Sequence, residues 1–253
     1  MLDERQEYID YYCKYLGINI LDLSKGNIIF SCNQRNEPIS GSHFQHLIIT
    51  EIDGKQIFSI SPKYYNGFKK HILKYKENKL EGVNKLKPFL QSFFENKLKK
   101  HQIRKMYRLT VNKDEMIDIP SSLAIQLTKE ILMDNIKDKD RIEKDRIWRR
   151  KKTEVEDGRQ YTILDDGKIT CWCKVSDIDF DGGNLAVWTS PKYRRRGYGK
   201  QVTLDAVKWC FRNNVIPIYW VDSTNVASIN LAKGIGFKVM SEEIVVSSIM
   251  NQY

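Results

Sequence analysis

Apolar residues along this chain recur with two periods, and each period predicts an element type. Residues 5–15 carry a helical pattern, and Gly26–Ser31 (Gly-Asn-Ile-Ile-Phe-Ser) reads as a strand. Phe44–Ile52 and Gln56–Ser61 are strand-like runs joined at Asp53-Gly54, a dipeptide suited to a tight primed turn. Lys85–Lys100 is amphipathic, with Leu86, Phe89, Leu90, Phe93 and Phe94 on one helical face, and Met106–Val111 predicts a strand. Pro120-Ser121-Ser122 has the composition of a helix start, and Leu123, Leu127, Ile131, Leu132 and Ile136 follow roughly in phase. Residues 137–152 alternate in charge, as a solvated helix or a linker does.

From Tyr161 the pattern changes. Tyr161–Leu164 and Ile169–Val175 flank Asp165-Asp166-Gly167, a second hairpin signal. Leu185–Thr189 is a short apolar strand, Lys200–Arg212 an amphipathic helix ending at Asn213-Asn214, and Val215–Val221 another strand. A helix over Val226–Lys233 and two strands, Phe237–Met240 and Ile244–Met250, complete the order β-β-β-α-β-α-β-β. That order predicts a mixed sheet with helical crossovers over 121–253, preceded by a smaller α+β domain over 1–120 that shows no chemical motif.

Composition narrows the class. With 253 residues and 41% hydrophobic composition the chain can bury one large core or two small ones. No apolar run approaches the length of a membrane span, and the polar start Met1-Leu-Asp-Glu-Arg-Gln-Glu lacks a secretory core, so a cytoplasmic protein with no membrane partner is expected. The five cysteines are odd in number and scattered; Cys171 and Cys173 share one strand face, and buried free thiols rather than a disulfide framework or a metal site are expected. The net charge of +10 is concentrated between Lys63 and Arg108, where fourteen Lys or Arg face three Glu. Such a segment suits a polyanion or, more simply, the solvated face of a lysine-rich helix. Tyr64, Tyr65, Phe68, Tyr75, Phe93 and Phe94 are spaced for a helix or core rather than for stacking bases, so nucleic acid is not the expected partner.

The candidate chemistry lies in Val187-Trp-Thr-Ser-Pro191-Lys-Tyr193-Arg-Arg-Arg-Gly197-Tyr-Gly199-Lys200, where a strand ends, a glycine-containing loop turns and a helix begins. Backbone N–H groups at a helix N-terminus are unpaired and carry partial positive charge, which suits phosphate. Gly197 and Gly199 permit a tight turn and a close ligand approach, while Arg194, Arg195, Arg196 and Lys200 add full charge. Taken alone, this segment reads first as an ordinary basic turn capping a helix.

Downstream, Asn225-x-x-Ser228-x-x-Leu231-Ala232 and Gly236-Phe237 follow the next strand. Together with Pro191-x-Tyr193-Arg194-x-x-Gly197-x-Gly199 they resemble the acetyl-coenzyme A site of the Gcn5-related N-acetyltransferase (GNAT) superfamily. Tyr161–Ile169 and the pattern Trp220…Asn225…Ser228…Leu231-Ala232 look like a bacterial branch that includes zwittermicin A resistance acetyltransferases. The resemblance implies a centrally splayed mixed sheet flanked by helices, acetyl-CoA as cosubstrate, no metal, and a small-molecule or protein amine as acceptor. A homodimer is one possible assembly, and a degenerate acetyltransferase-like fold one possibility for 1–120. It places pyrophosphate on the amides of Arg195–Lys200, including Tyr198, pantetheine along Val187, Trp188 and Thr189, and hydrogen bonds to the coenzyme at Asn225 and Ser228. Many relatives carry a tyrosine acid where this chain has Ala232, and a glutamate base in the preceding strand is missing as well. Asp222 is then the candidate base, with a helix N-cap as its other reading. Tyr219, Ser228 or water is the candidate acid, although a thiolate can also leave unassisted. Glu242 and Glu243, expected between the last two strands, are either acceptor-pocket groups or exposed loop carboxylates. Two other readings follow: a catalytically silent coenzyme-binding protein, and a polyanion binder using residues 63–108.

Overall fold

The computed structural model describes residues 4–26, 28–39, 43–75 and 83–249. In chain order the elements are α1 (Glu4–Leu16), α2 (Ile20–Ser24), β1 (Ile29–Ser31), β2 (Pro38–Ile39), β3 (His43–Ile52), β4 (Lys55–Ile60), α3 (Pro62–Tyr75), α4 (Val83–Phe94), β5 (Gln102–Thr110), β6 (Ile125–Gln126), α5 (Lys129–Asn135), α6 (Arg141–Glu156), β7 (Gln160–Asp165), β8 (Lys168–Asp179), β9 (Gly182–Thr189), α7 (Tyr198–Arg212), β10 (Ile216–Asp222), α8 (Val226–Lys233) and β11 (Lys238–Ile249). The class is the expected mixture of sheet and flanking helices. Two compact units are formed: the first takes the chain up to Arg108, then Val221–Thr224 and everything from Val239; the second takes Leu109–Trp220 and Asn225–Lys238. Among the described residues no helix is long and apolar enough to cross a membrane.

In the first unit the strand order is β1-β4-β3-β11-β5, with β2 also on β3. The β3–β4 turn has Asp53 at φ 49 and Gly54 at φ 72, the left-handed pair a primed turn requires. Behind the sheet, α3 and α4 bury Phe68, Ile72, Leu86, Phe89, Leu90, Phe93 and Phe94. Among the described residues of the lysine-rich segment, Tyr64, Phe68, Phe89, Phe93 and Phe94 are core and Tyr65 packs against it; the side chain of Tyr75 and residues 76–82 lie outside the described residues.

Helix α1 presents Tyr8, Tyr11, Tyr12 and Tyr15 on one face at helical spacing, all buried. Each hydroxyl finds a partner: Tyr8 pairs with Ser241 at 3.0 Å, Tyr12 donates to Glu243 at 2.9 Å, Tyr15 donates to Gln45 at 2.6 Å, and Tyr11 accepts from Arg108 at 2.9 Å. Arg108 also donates to Glu243 at 2.7 Å, with both side chains essentially excluded from solvent. Burial alone would lower the Arg108 pKa, but Glu243 and the tyrosines more than offset it, and Arg108 stays charged. Here the expectation for the C-terminus is corrected. β11 runs unbroken through Ser241-Glu242-Glu243, so the two glutamates are neither a loop nor an exposed pair. Glu243 is buried beneath α1, while Glu242 points the other way and pairs with Lys105 at 2.6 Å.

In the second unit the order is β10-β9-β8-β7-β6. The β7–β8 turn places Asp166 at φ 48 and Gly167 at φ 71. No helix begins at Pro120: Ile125 and Gln126 are extended and pair antiparallel with Thr162 and Tyr161. The helix starts at Lys129, because Thr128 accepts from the Ile131 amide and so caps that turn. Residues 141–156 are helix rather than linker, capped by Asp140 on the Glu143 amide at 2.8 Å. α7 buries Val202, Thr203, Leu204, Ala206, Val207 and Cys210.

Candidate functional site

The sequence places a loop between β9 and α7, and its backbone is unusual. Arg195 has φ 62 and Gly197, the residue before the first turn of α7, has φ 77. A non-glycine residue in the left-handed region costs about 1–2 kcal/mol, so this turn is held against its local preference. The consequence is a run of N–H groups left without acceptors. The amide of Tyr193 donates to Ser190 and that of Arg194 to Pro191, and the next to find protein acceptors are those of Lys200 and Gln201, both on the Gly197 carbonyl at 3.1 and 3.3 Å. Among the described residues, the amides of Arg195, Arg196, Gly197, Tyr198 and Gly199 donate to no protein atom. Five free N–H groups at a helix N-terminus make a concavity of the kind that suits an anion. The Lys200 amide belongs to the helix and leaves that set.

The side chains around the loop hold it in shape. Tyr193 donates to Asp165 at 2.6 Å and its ring lies 6.4 Å from that of Tyr198. Arg196 stands over Tyr193 at 5.3 Å, and Arg194 donates to the Thr189 carbonyl at 3.3 Å. Arg194, Arg195, Arg196 and Gly197 are exposed. The two glycines differ in role. A Cβ on Gly197 would meet nothing within 4 Å, so its bare face is open to a ligand. A Cβ on Gly199 would lie 2.7 Å from Leu231 Cδ1, so this glycine serves the packing of α7 on α8 rather than ligand approach. Lys200 carries its ammonium across Gly234, at the C-terminal end of α8, where a cation complements the helix carbonyls.

Beside the loop the sheet opens. β9 and β10 are parallel neighbours only at Ile216–Gly182, Pro217–Gly183 and Ile218–Asn184. Beyond that point Leu185–Thr189 has a strand partner, β8, on one side alone. Val187, Trp188 and Thr189 thus offer backbone groups along a free edge, which an extended ligand can join as an added strand. This is the central splay expected from the resemblance.

On α8, Asn225 is the N-cap, its Oδ1 accepting from the Ser228 amide at 3.2 Å. Its side-chain N–H2 remains available. The Ser228 hydroxyl meets the Tyr219 hydroxyl at 2.7 Å. Tyr219 is buried against Phe237, and burial pushes its phenol pKa up to about 12. Asp222 belongs to the first unit. It is not the cap of α8; its Oδ1 accepts from the Thr224 hydroxyl at 2.7 Å and the Thr224 amide at 2.9 Å. The hydroxyl bond is the main reason its carboxyl is held below the ordinary range. Sequence spacing gave no hint of the Tyr193–Asp165 tie or of the Gly199–Leu231 contact, since each joins segments about thirty residues apart. Among the described residues no group of three or more His, Cys, Asp or Glu is arranged to hold a metal, and all five cysteines are free and buried.

A family model described as GNAT acetyltransferase matches residues 64–245, which spans parts of both units. No curated protein matches the chain. Among solved structures, a Drosophila protein is 16% identical with a TM-score of 0.50, over 99% of this chain and 97% of that one. A GNAT-family acetyltransferase from Colwellia psychrerythraea is 12% identical with a TM-score of 0.49, over 83% and 85% of the two chains. A GCN5-related N-acetyltransferase from Sphaerobacter thermophilus is 12% identical with a TM-score of 0.47, over 76% and 71%.

Proposed function

Because this chain belongs to the GNAT acetyltransferase family, we propose that it moves an acetyl group from acetyl-CoA to a primary amine by direct attack in a ternary complex. The observation that carries the proposal is the run of five unpartnered amides, Arg195 to Gly199, beside the free edge of β9. Amides, a helix N-terminus and three exposed guanidinium groups fit a diphosphate, and the edge Val187–Thr189 fits the amide-bearing arm of pantetheine. The coenzyme supplies the acetyl group as a thioester. A backbone N–H near Trp188 would polarise its carbonyl and stabilise charge on that oxygen. Asn225, through its side-chain N–H2, and Ser228 would hold the coenzyme from α8.

The candidate base, Asp222, offers little for proton transfer from the amine. An alkylamine has a pKa of about 10.4 and must lose a proton before it attacks. Asp222, with its carboxyl already engaged and its pKa depressed, is a weak base. Holding amine and thioester together is then the larger contribution. Tyr219 stays protonated at neutral pH and, with Ser228, forms the hydroxyl pair from which a proton can reach the leaving thiolate. Placement in the zwittermicin A resistance branch, a cytoplasmic location and a small-molecule or protein acceptor belong to the same proposal.

The test is a thermal shift with acetyl-CoA followed by thiol release over a panel of amines. A ligand that binds only the folded state raises the midpoint, by about 2.7 kcal/mol of stability at a hundredfold excess over Kd. No shift at millimolar acetyl-CoA would sink the proposal. A second reading is favoured by the engaged Asp222 and the buried Tyr219: a coenzyme-binding protein without catalysis. A shift without thiol release on any amine would establish it.

A further inference from the structure

The two faces of the second unit's sheet are not equivalent. On β8, Cys171, Cys173 and Val175 are fully buried and alternate with Trp172 and Lys174. Thr189, paired with Cys171 across the β8–β9 ladder, lies toward Gly199 of α7. That face is filled by α7. Trp172 and Trp188 are direct cross-strand partners and project from the opposite face, with ring centroids 6.3 Å apart and planes at 23°. α6 covers this face only as far as β8, where Glu154 pairs with Lys174 and the Lys151 ammonium stands 5.4 Å from the Trp172 centroid. Trp188, on the next strand, lies past the end of that cover. It is 42% exposed, and among the described residues no cation stands over it.

Aromatic faces in this unit already hold ammonium groups: Lys151 over Trp172, and Lys129 over Trp148 at 4.8 Å. An indole face attracts a cation through its quadrupole. If the thioester lies along the backbone at Trp188, as proposed above, the α7 side is closed to an incoming amine and the Trp172–Trp188 side is open.

We infer that the exposed Trp188 ring, backed by Trp172, is the acceptor platform, and that the acceptor is a cationic alkylamine whose ammonium rests on the indole before it is deprotonated. This rests on the acetyl-transfer reading for its role but not for its binding chemistry. Trp188 then serves twice: its backbone faces the coenzyme edge, and its side chain positions the amine. Lys151 limits the platform to one cation, because its own charge occupies the Trp172 half. Burial, and then Lys174, lowers its pKa.

The probe is choline, a quaternary ammonium that cannot be acetylated on nitrogen, against its neutral isostere 3,3-dimethylbutan-1-ol. Each is titrated into the full chain, and the indole N–H resonances are followed by NMR, with that of Trp188 assigned by its absence in Trp188→Leu. Choline should shift the Trp188 resonance and bind roughly two- to fivefold more tightly than the isostere, as an exposed cation–π contact allows. Trp188→Leu should remove that preference. Gly197→Glu should keep it while losing coenzyme A. Equal binding of the two probes, or a choline preference that survives Trp188→Leu, overturns the platform. If Gly197→Glu and wild type alike fail to bind coenzyme A, the acetyl-transfer reading falls and, with it, the acceptor role, whatever choline does. With a working amine from the panel, Trp188→Leu should raise KM for the amine severalfold; an unchanged KM also overturns the assignment.

Discussion

Replacing Gly197 separates two effects that the loop combines. The residue sits at φ 77, and a Cβ there meets nothing within 4 Å. Gly197→Ala therefore introduces backbone strain without a clash, about 1–2 kcal/mol for a non-glycine residue in the left-handed region. For a chain of this size each kcal/mol lowers the melting midpoint by about 2–4 °C. Gly197→Glu carries the same strain and adds a carboxylate to the open face. Against one phosphate charge 4 Å away, at an effective dielectric near 20, repulsion reaches about 4 kcal/mol. Each 1.4 kcal/mol is about a factor of ten in Kd. The expectation is a similar midpoint loss for both variants without ligand, a coenzyme A Kd raised less than about tenfold in Gly197→Ala, and one raised more than about a hundredfold in Gly197→Glu. Gly197→Lys, with the same strain and the opposite charge, should bind far better than the glutamate variant. Isothermal titration of coenzyme A with a parallel melting curve reads both quantities. If Ala and Glu weaken binding equally, strain and not phosphate repulsion is responsible, and the diphosphate site is elsewhere.

Glu243→Ala should cost about 3–5 kcal/mol, read as a lower urea midpoint, because it strands the buried Arg108 without its carboxylate; a loss under about 1 kcal/mol would mean that Arg108 finds water or another acceptor. His46 is buried and hydrogen-bonded to Ser248 at 2.7 Å; burial, and then Lys63, lowers its pKa to about 4. The unfolded chain, with a histidine near 6.5, takes up the proton first, so stability should fall as pH drops from 6.5 toward 4, by roughly 1–3 kcal/mol, and His46→Gln should flatten that slope. At the alkaline end Tyr219 is raised to about 12 by burial, so stability should decline once pH passes the ordinary tyrosine value of 10.0, with tyrosinate absorbance and unfolding rising together. Gly199→Val should shift α7 against Leu231 and lower both the midpoint and coenzyme affinity, whereas normal behaviour would deny the packing role.

Periodic elements were legible because their signals are local. Both hairpins were marked by Asp-Gly turns whose residues adopt the left-handed conformations those types tolerate, and α7 follows its apolar stripe. The segment after Pro120 misled because its apolar residues are shared between two environments. Leu123 is 61% exposed and lies outside any helix, Leu127 is buried, and only the residues after Thr128 are helical, so a helical period across them has no single face behind it. β11 misled in the opposite way. Ser241-Glu242-Glu243 reads as a turn because a carboxylate inside a core is costly, and nothing nearby in sequence offsets it. The offsetting groups are Arg108, 135 residues upstream, and Tyr12, 231 residues upstream.

The same distinction explains what could be read of the site. The part proposed to hold the diphosphate is built from consecutive main-chain amides, and a backbone conformation of that kind is written in a short run of glycine, proline and basic residues. Proton transfer depends instead on where a few side chains stand and what they already touch, which spacing does not encode. Asp222 looked like a base or a cap and is neither free nor capping; Tyr219 looked like an acid and is tied to Ser228. A fold that fixes its cosubstrate through backbone geometry can let its acid and base drift in sequence, because positioning alone accounts for much of the rate of an amine attacking a thioester whose leaving group needs little help. The acceptor side then becomes the variable part, and on the reading proposed above its most distinctive feature in this chain is an exposed indole, Trp188, at the residue where the proposed coenzyme edge and the open face of the sheet meet.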